Sequence, residues 1–370
     1  MSDTKILRPT WAQINLFALK NNILKMKEVI GPESNLLLVI KANAYGHGAT
    51  DIARFVEGEN LVWGYGVSSV EEGIALRKAQ VTSPILILGS LFPFESFIEA
   101  IKYDLTVTIS SMEAAEQIVK ASESSPKKAI CHIKLETGMG RIGARRPSAV
   151  KILEKLLSAS SVSVGGIYTH LSSSDTDMEF TNLQLSYFNE TLKDFSKYEI
   201  ENLLRHTANS YAAVNIPASR FDMVRSGFAC YGLMEGFEPV LSLKTRIVFL
   251  KNVREGSFIS YNKTFKCPKP MRIATLPIGY ADGYFRKFSN KSDVIIKGKR
   301  CRVLGAVTMD MIMVDVSGIE NVSIGDEAAL IGSQGEEEIK VSELARKAEI
   351  SAYEIVSLIS ARVPRVYISK

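Results

Sequence analysis

A chain of 370 residues with 46% hydrophobic and 23% charged residues has the composition of a folded globular protein, long enough for one large domain and a smaller one. Its formal net charge of +5 comes from Lys and Arg spread along the chain rather than gathered in basic runs, which argues against a nucleic-acid partner. No stretch approaches the roughly 20 apolar residues of a membrane helix, and the N-terminus lacks the pattern of a secretory signal. We therefore expect a cytoplasmic protein with no membrane partner.

Eight short apolar runs alternate with helix-periodic segments between Asn15 and Gly236. The predicted strands are Leu36–Ile40, Val62–Val67, Ile85–Leu88, Leu105–Ile109, Ala129–Leu135, Gly165–Thr169, Leu203–Arg205 and Met223–Arg225. The predicted helices are Leu16–Ile30, Val70–Ala79, Met112–Ala121, Ala149–Leu157 and Phe180–Phe195. This alternation favours an α/β fold, a parallel (β/α)8 barrel of the TIM type, with a doubly wound sheet as the alternative.

From about Phe237 the pattern changes to short strand-like runs without helices between them, which indicates a β-rich C-terminal domain. The predicted strands are Ser242–Leu250, Met271–Pro277, Val294–Ile296 and Met311–Val316, broken by turns at Asp282-Gly283 and Gly325-Asp326 and followed by helices Val341–Glu349 and Ala352–Ile359. We expect a barrel domain over residues 1–237 and the β-rich domain over 238–370. For roughly the first 12 residues, packing against the β-rich domain is the alternative.

Lys41 follows the first apolar run directly and opens a loop that contains Gly46 and Gly48. Desolvation at such a position favours the neutral amine, which is the nucleophile that Schiff-base chemistry requires. An ordinary lysine at a strand end is the alternative interpretation.

Other polar residues fall at or just after the ends of predicted barrel strands, where the active sites of β/α barrels lie. They are Lys134 and Arg141, His170, His206 and Arg225. Each alone could be a loop hydrogen-bonding residue or a surface salt-bridge residue, but together they are expected to converge on one face of the barrel. The four cysteines lie far apart and show no metal-ligand spacing, so we expect no metal site and no disulfide.

The segment VIKANAYGHG around Lys41 resembles the pyridoxal-phosphate lysine loop of the alanine racemase family. Further segments are similar to motifs of that family, in the same order, between Pro9 and Arg365: HIKLETGMGRIG, YTH, HTANS, MVRSGFACYG, SYNKTF, LPIGYADGYFR, VTMDM and ISARVPR. The resemblance implies that the chain has fold type III of the pyridoxal-phosphate enzymes. It also implies that the protein interconverts L-alanine and D-alanine with pyridoxal 5'-phosphate as its cofactor. This activity would supply D-alanine for peptidoglycan.

Two residues are catalytic by this resemblance, one on each side of the substrate Cα. Lys41 forms the aldimine with pyridoxal phosphate and serves as one base, and Tyr261 serves as the opposing base. A tyrosine is a poor base near neutral pH unless cations or donors stabilise its phenolate. The resemblance implies that His170 provides this by linking Tyr261 to Arg225.

The resemblance also implies a set of cofactor contacts. Arg225, held by His206, would donate a hydrogen bond to the pyridine nitrogen and leave it unprotonated, because arginine does not give up its proton. The glycines at 46 and 48 permit a tight loop beside the ring. The remaining cofactor-binding positions, mostly around the phosphate, are Tyr45, Asn209, Ser210, Gly227 and Phe228.

Substrate contacts are implied for Arg141, Tyr280, Met309 and Asp310. The last three would come from the neighbouring subunit, so the resemblance implies a homodimer with shared active sites. Lys134 resembles a lysine that is carbamylated in many members, and the carbamate would support Arg141.

Two positions depart from the family pattern. Ala361 stands where many members have tyrosine, and Ala306 stands where many have an arginine near the active-site entrance. By the resemblance, Asp175 and Arg286 match the family residues at their positions. We therefore predict racemisation of residues larger than alanine, such as serine.

Three alternatives to an alanine racemase remain at this point. They are a broad-specificity amino-acid racemase, a related barrel decarboxylase, and a non-catalytic pyridoxal-phosphate carrier. Decarboxylases of this architecture generally pair the pyridine nitrogen with a carboxylate, and carriers lack the β-rich domain, so Arg225 and Tyr261 argue against these two.

Overall fold

The computed structural model describes residues 7–200 and 202–369. The contacts among residues divide the chain into two compact units, which are described separately. Of the described residues, one unit contains Lys20–Ala44, 49–200 and 202–230, and the other contains residues 7–19, Tyr45–Gly48 and 231–369. The domain boundary between residues 237 and 238 stays a prediction.

Eight parallel strands of the first unit form a nearly closed barrel, which confirms the predicted fold and excludes the doubly wound sheet. Strand β1 (Thr10–Asn15) precedes them and belongs to the second unit. The barrel strands are β2 (Asn35–Val39), β3 (Gly64–Val67), β4 (Ile85–Ile87), β5 (Thr106–Ile109), β6 (Ala129–Lys134), β7 (Val162–Tyr168), β8 (Leu204–His206) and β9 (Met223–Ser226), hydrogen-bonded in the order β8-β7-β6-β5-β4-β3-β2-β9.

Two backbone hydrogen bonds connect the ends of this sheet beside β8 and β9. The N–H of Asp222 donates to the carbonyl of Arg205 at 3.0 Å, and the N–H of Arg225 donates to the carbonyl of Ala208 at 3.1 Å. Inside the barrel Leu37, Leu86 and Met223 form a fully buried cluster. The ends of the strands are therefore held at fixed positions around a packed interior.

The helices that connect the strands are amphipathic, as their spacing predicts. They are α1 (Leu16–Ile30), α2 (Lys41–Tyr45), α3 (Ala49–Gly58), α4 (Val70–Lys78), α5 (Phe94–Lys102), α6 (Met112–Glu123), α7 (Arg146–Leu157), α8 (Met178–Phe195) and α9 (Ser210–Asn215). The five predicted helices are confirmed within a few residues. The short helices α3, α5 and α9 are additional, and α2 is a single turn with a left-handed backbone.

The second unit contains a mostly antiparallel sheet, as predicted for the β-rich domain. Its strands are β1, β10 (Leu241–Arg246), β11 (Phe249–Val253), β14 (Met271–Leu276), β15 (Asp293–Ile296), β16 (Lys299–Leu304), β17 (Ile312–Asp315), β18 (Glu327–Gln334), β19 (Glu337–Ile339) and β20 (Arg365–Ile368). The order is β11-β14-β17-β16-β15-β18-β10-β1-β20, with β19 beside β18. A separate hairpin is formed by β12 (Phe258–Ile259) and β13 (Phe265–Lys266).

The predicted strand Ser242–Leu250 is wrong, because the chain forms two strands there. The backbone of Ile247 exchanges hydrogen bonds with Gly325 and Asp326, whereas the N–H of Val248 donates to Thr275. The backbone before this point is hydrogen-bonded on the side of β18, and the backbone after it is hydrogen-bonded to β14. A segment that looks like one strand in the sequence therefore changes its pairing partner.

Two helices follow the sheet, α10 (Val341–Ala348) and α11 (Ala352–Ser357), close to their predicted bounds. Ser351 caps α11 by accepting a hydrogen bond from the N–H of Tyr353, and the Glu354 carboxylate accepts a hydrogen bond from the backbone N–H of Ser351. Within the described ranges, no helix is long and apolar enough to cross a membrane.

Candidate active site

Lys41 lies just beyond the carboxyl end of β2, in which every residue except Asn35 is buried. Burial lowers the pKa of its amine, the nearby Arg141 guanidinium lowers it further, and Glu72 acts in the opposite direction. A lowered pKa increases the fraction of neutral amine near pH 7. The structure therefore places a partly desolvated amine at this strand end, and its role as the nucleophile stays a prediction.

The backbone after Lys41 forms a left-handed turn. Ala42, Asn43 and Ala44 have φ of 51°, 54° and 55° with ψ of 49°, 46° and 50°. Such a conformation costs about 1–2 kcal/mol per non-glycine residue, so surrounding contacts must hold it. The Glu72 carboxylate accepts from the N–H of Ala42 at 2.7 Å, and the Asn43 side chain accepts from the N–H of Ala49 at 2.8 Å.

Gly46 and Gly48 both have positive φ, 82° and 97°. A Cβ on Gly46 would lie 1.9 Å from the carbonyl oxygen of Val356, and one on Gly48 would lie 1.8 Å from the Tyr367 hydroxyl. Both positions therefore require glycine for conformation and for space. The carbonyl of Gly46 also accepts from Nε of Arg365 at 2.9 Å.

Lys134 ends β6 and is almost completely buried, with 2% of its surface exposed. Burial lowers the pKa of its amine to about 7, and the positive charges of Arg141, Arg225 and Lys41 contribute to the same shift. The chain folds back after β6, where the N–H of Ala144 donates to the carbonyl of Lys134 at 2.8 Å. The loop that carries Arg141 is thereby tied to the strand.

Arg225 is buried in β9 and donates four hydrogen bonds inside the barrel. Its guanidinium reaches His206 twice, at Nδ1 and at the carbonyl, both at 2.9 Å. It also reaches the carbonyls of Thr169 at 2.7 Å and Thr207 at 3.0 Å. Burial lowers the pKa of Arg225 to about 10, so it remains a cation near neutral pH.

The predicted contact between Arg225 and His206 is thus present in the structure, and His206 in turn contacts His132. Nε2 of His206 lies 2.9 Å from Nδ1 of His132, and both rings are buried. Burial lowers the pKa of His132 to about 3 and that of His206 well below its usual value, with Arg225 contributing to both shifts. His132 is part of the site although the sequence analysis did not single it out.

Tyr168 packs between these groups. Its ring stacks on His206 with centroids 4.7 Å apart and planes at 7°, and the Arg225 guanidinium lies 5.1 Å from its centroid. The Lys134 amine lies 5.6 Å from the same ring. An aromatic face between two cations stabilises both of them.

His170 follows β7 and is the next predicted residue. Burial lowers the pKa of its imidazole to about 3, and the charges of Arg225, Arg141, Lys134 and Lys41 lower it as well. His170 is therefore neutral and lies in the field of all four cations. The predicted hydrogen-bonded link from Arg225 through His170 to Tyr261 stays a prediction.

The hydroxyl of Ser210 lies at the first residue of α9, a helix start as expected, and Asn209 caps that helix. The Ser210 Oγ accepts from the N–H groups of Gly227 and Ala229, both at 3.3 Å, and lies 3.0 Å from Oγ of Ser226. Hydroxyl and backbone donors are thus concentrated between α9 and the end of β9. Such a concentration of donors suits a phosphate group.

Tyr261 lies in the second unit, in a short 3-10 turn after β12, and 68% of its surface is exposed. Ser260 and Asn262 on either side have φ of 64° and 58°, an unusual conformation for non-glycine residues. The Ser260 hydroxyl fixes the turn by donating to the carbonyl of Ala306 at 2.6 Å. The turn presents the phenol outward rather than into the core of its own unit.

Tyr280 and Met309 also lie in the second unit, on two segments joined by hydrogen bonds. The N–H of Tyr280 donates to Thr308 at 3.0 Å, and the N–H of Ala281 donates to Met309 at 3.1 Å. A Cβ on Gly279 would lie 2.3 Å from the Met309 carbonyl, so glycine is needed for this approach. The structure thus brings two of the predicted substrate residues together.

A buried carboxylate, Asp282, holds this region and was missed by the sequence analysis. It forms a two-pronged ion pair with Arg8, accepts from the N–H of Gly279 at 2.9 Å, and lies 3.6 Å from Arg362. Arg362 also donates to Asp310 at 2.6 Å, which connects the third predicted substrate residue to the same network.

Comparison with known proteins gives a consistent assignment. Sequence models of the N-terminal and C-terminal domains of alanine racemase match residues 14–235 and 240–367. The alanine racemase of Halothermothrix orenii is 40% identical over 375 residues, covering 99% of this chain and 98% of that protein. That of Methanococcus maripaludis is 37% identical over 374 residues, covering 98% of this chain and 100% of that protein.

Solved structures give the same result. The alanine racemase of Clostridium difficile 630 superposes with a TM-score of 0.93 at 34% identity, covering 99% of this chain and 97% of that chain. The alanine racemase of Bacillus anthracis, solved with bound L-Ala-P, superposes with a TM-score of 0.92 at 34% identity, covering 99% of this chain and 96% of that chain.

Proposed function

Because the chain belongs to the alanine racemase family and is an enzyme of that family, we propose that it interconverts L-alanine and D-alanine by two-base proton transfer with pyridoxal 5'-phosphate as its cofactor. When bound, pyridoxal phosphate supplies an electron sink that acidifies the substrate Cα–H bond.

The donor set of the barrel fits such a cofactor. Burial lowers the pKa of the amines of Lys41 and Lys134, and the positive charge of Arg141 lowers both further. The charges of Arg225 and Lys41 also lower the pKa of Lys134. Concentrated positive charge in a buried site favours an anionic ligand. A phosphorylated aldehyde with an acidic phenol supplies that anionic charge, and the lysine amine at the end of β2 supplies the attachment point.

The cofactor residues divide into two groups. Arg225 would donate a hydrogen bond to the ring nitrogen and would leave it unprotonated, since a guanidinium cannot accept a proton. The Ser210 hydroxyl and the backbone N–H groups near Gly227 and Phe228, with Asn209 and Tyr45, would hold the phosphate. Arg141 binds the substrate carboxylate.

Lys41 removes or returns the proton on one face of the substrate, and Tyr261 does so on the other. A lowered pKa lets the Lys41 amine accept a proton near neutral pH. We propose a homodimer in which Tyr261, Tyr280, Met309 and Asp310 of one subunit complete the site of the other. This arrangement suits an exposed Tyr261 and half-exposed Tyr280 and Met309, which are 68%, 45% and 52% exposed.

The desolvated amine of Lys41 at the end of β2, beside the Arg141 guanidinium, is the observation that carries this proposal. The test uses purified enzyme saturated with pyridoxal phosphate in heavy water, with deuterium incorporation at Cα and the enantiomer ratio followed for L-alanine and D-alanine separately. Wild type is expected to incorporate deuterium and to racemise both enantiomers.

The variant Tyr261→Phe is expected to racemise at least about 100-fold more slowly, because a positioned general base contributes about 10²–10⁴-fold. It should still exchange the proton of one enantiomer, because Lys41 remains. The matched control is Tyr187→Phe on the surface of the barrel, which should behave as wild type. Full racemisation by Tyr261→Phe would refute the two-base assignment.

A second candidate, a racemase of broader specificity, is favoured by one feature. Ala361 presents only a methyl group beside Arg362, whose guanidinium donates to the predicted substrate residue Asp310 at 2.6 Å. The match to both family domains argues against a barrel-only carrier. We further propose a cytoplasmic role in supplying D-alanine for peptidoglycan, which a D-alanine-dependent bacterial strain would test by growth without added D-alanine.

A further inference from the structure

A chain of three buried side chains extends from Arg225 across the interior of the barrel. Nη1 of Arg225 lies 2.9 Å from Nδ1 of His206, and Nε2 of His206 lies 2.9 Å from Nδ1 of His132. His206 and His132 are 0% and 2% exposed. The far end of this chain, His132, lies on β6, and Arg225 lies on β9.

The direction of these hydrogen bonds is fixed by chemistry. A guanidinium only donates, so Nδ1 of His206 must carry a lone pair and its proton must lie on Nε2. Nε2–H then donates to His132, so Nδ1 of His132 must also carry a lone pair. Both imidazoles are therefore neutral and both carry their proton on Nε2, because an additional proton on either Nδ1 would place two donors face to face.

Two glycines make room for His132. A Cβ on Gly166 would lie 2.6 Å from Nδ1 of His132, and one on Gly165 would lie 3.4 Å from its Nε2. Both glycines lie within β7, and neither carries a side chain that would occupy this space. The space around His132 is thus shaped to the imidazole ring.

Without His132, the Nε2–H of His206 would lose its acceptor in a buried environment. A buried donor without a partner is unfavourable, and the ring can escape this by rotating or by moving its proton to Nδ1. Either change would remove the acceptor that Arg225 uses. The carbonyls of His206, Thr169 and Thr207 would still hold the guanidinium, but in a less defined orientation.

We propose that His132 is a positioning residue: by accepting from Nε2–H of His206 it fixes the His206 tautomer, and thereby fixes the orientation in which Arg225 donates. The step from Arg225 to the cofactor ring nitrogen rests on the proposed function. The step from His132 to Arg225 is a property of the protein alone.

The first test needs no activity. The protein without cofactor is labelled with ¹⁵N-histidine, and the ring nitrogen resonances are assigned with single His→Asn variants at positions 47, 132, 170 and 206. At pH 7 both His132 and His206 should show a protonated Nε2 and an unprotonated Nδ1. An Nδ1-protonated or doubly protonated form of either ring would overturn the proposal.

The second test compares two variants as holoenzymes. His132→Phe removes the acceptor, whereas His132→Asn places an amide oxygen near the former Nδ1 and can restore it. At metal sites, loss of the partner that orients a ligating imidazole costs about 10–100-fold in metal affinity or activity, and we expect an effect of that order here. We expect a fall in kcat of about tenfold or more for His132→Phe with little change in KM, a changed absorbance of the bound cofactor, and substantial recovery in His132→Asn.

Equal kcat in His132→Phe and wild type would overturn the proposal, and so would equal losses in the Phe and Asn variants. If His132→Phe does not fold, the proposal is still tested by the ring tautomers of the wild-type protein and by the kcat of His132→Asn. If His132 and His206 both show the predicted Nε2-protonated tautomer but the protein does not racemise alanine, the proposed function is refuted. The positioning role of His132 towards Arg225 then still stands. If the protein racemises alanine but either ring is protonated on Nδ1, the positioning role of His132 is refuted and the proposed function stands.

Discussion

Lys134 has the charge properties of a reactive amine. Burial and three neighbouring cations lower its pKa to about 7, so about half of the side chains are neutral at pH 7. A neutral amine can attack CO₂, forming an N–C bond and releasing a proton to solvent. The carbamate replaces a positive charge by a negative one among Lys41, Arg141 and Arg225, which favours the modified form.

We expect Lys134 to be carbamylated in the presence of bicarbonate. The neutral fraction of an amine with a pKa of about 7 rises about tenfold between pH 6 and pH 8, so carbamylation should rise over the same interval. The measurement is the ¹³C NMR signal of a carbamate in protein equilibrated with ¹³C-bicarbonate. Lys134→Gln should remove the signal, whereas Lys102→Gln, which alters an exposed lysine paired with Glu99, should retain it. A signal that survives Lys134→Gln would contradict the prediction.

The size of the side chain at position 361 is expected to set the range of substrates. Ala361 is exposed and adjoins Arg362, which is tied to Asp310. We expect wild type to racemise serine, and Ala361→Tyr to lower kcat/KM for serine by about tenfold or more relative to alanine, since small changes in pocket size shift selectivity by about 10–200-fold. Parallel assays of both amino acids with Ala361→Ser as the small-residue control provide the measurement. An unchanged ratio would count against this role of Ala361.

Single residues could be predicted from the sequence where a local pattern marks them. Lys41 and Arg225 stand at strand ends and belong to recognisable motifs. His132, Asp282 and Arg8 could not be predicted in this way, because their partners lie 74 residues away for His132 and 274 residues apart for the Arg8–Asp282 pair. The pair Gly165-Gly166 within a strand is the one local signal that points to a close approach, although it does not identify His132.

At the level of elements, helix α10 is attached to the β-rich sheet by an ion-pair network. Glu343 on α10 lies 2.8 Å from Arg300 on β16, and Lys347 on the same helix lies 2.8 Å from Asp293 on β15. Glu343 and Lys347 also pair with each other at 2.9 Å. Because several charges are coupled, this network contributes more than an isolated surface pair would.

We expect Glu343→Gln to lower the free energy of unfolding by about 1 kcal/mol at pH 7. The hydrogen bond from Arg300, with that from Lys347, lowers the pKa of the Glu343 carboxyl to about 2 from an ordinary value of 4.5. Its contribution is therefore fully present above about pH 4.5 and disappears as the pH falls towards 2. Urea unfolding at pH 7 and pH 3 measures the difference between the two proteins.

The matched control for this network is Glu336→Gln. Glu336 is exposed in the same region, and no salt bridge to it is found in the described part of the chain. Its substitution should leave the unfolding free energy unchanged at both pH values. A Glu343→Gln effect that is absent at pH 7, or undiminished at pH 3, would contradict the assignment.

Elements with strong periodicity could be predicted, and those defined by distant pairing could not. The helix Leu16–Ile30 and the barrel strands have buried faces that can be identified from apolar spacing. Strand β1 depends on β10 and β20 for its partners, and these are more than 220 residues away along the chain. The left-handed turn at Ala42–Ala44 has no glycine to indicate it, so only its tertiary contacts explain it.

At the scale of the whole molecule, the residues proposed for catalysis are divided between the two units. Lys41 belongs to the barrel and Tyr261 to the β-rich unit. The proposal that these two residues come from different subunits makes a quantitative prediction. A subunit that lacks Lys41 still carries Tyr261, and a subunit that lacks the Tyr261 hydroxyl still carries Lys41. The variants Lys41→Ala and Tyr261→Phe should each racemise alanine only at very low rates.

Mixing equal amounts of these two variants, after dissociation and reassembly, should restore activity. Half of the dimers would be mixed, and each mixed dimer would have one site with both Lys41 and Tyr261 and one site with neither, which gives about one quarter of wild-type activity. A double variant Lys41→Ala/Tyr261→Phe mixed with wild type is the control, and its mixed dimers should have no intact site. No recovery in the first mixture, with mixed dimers verified by mass spectrometry, would show that both bases come from the same subunit or that the assignment of one of them is wrong.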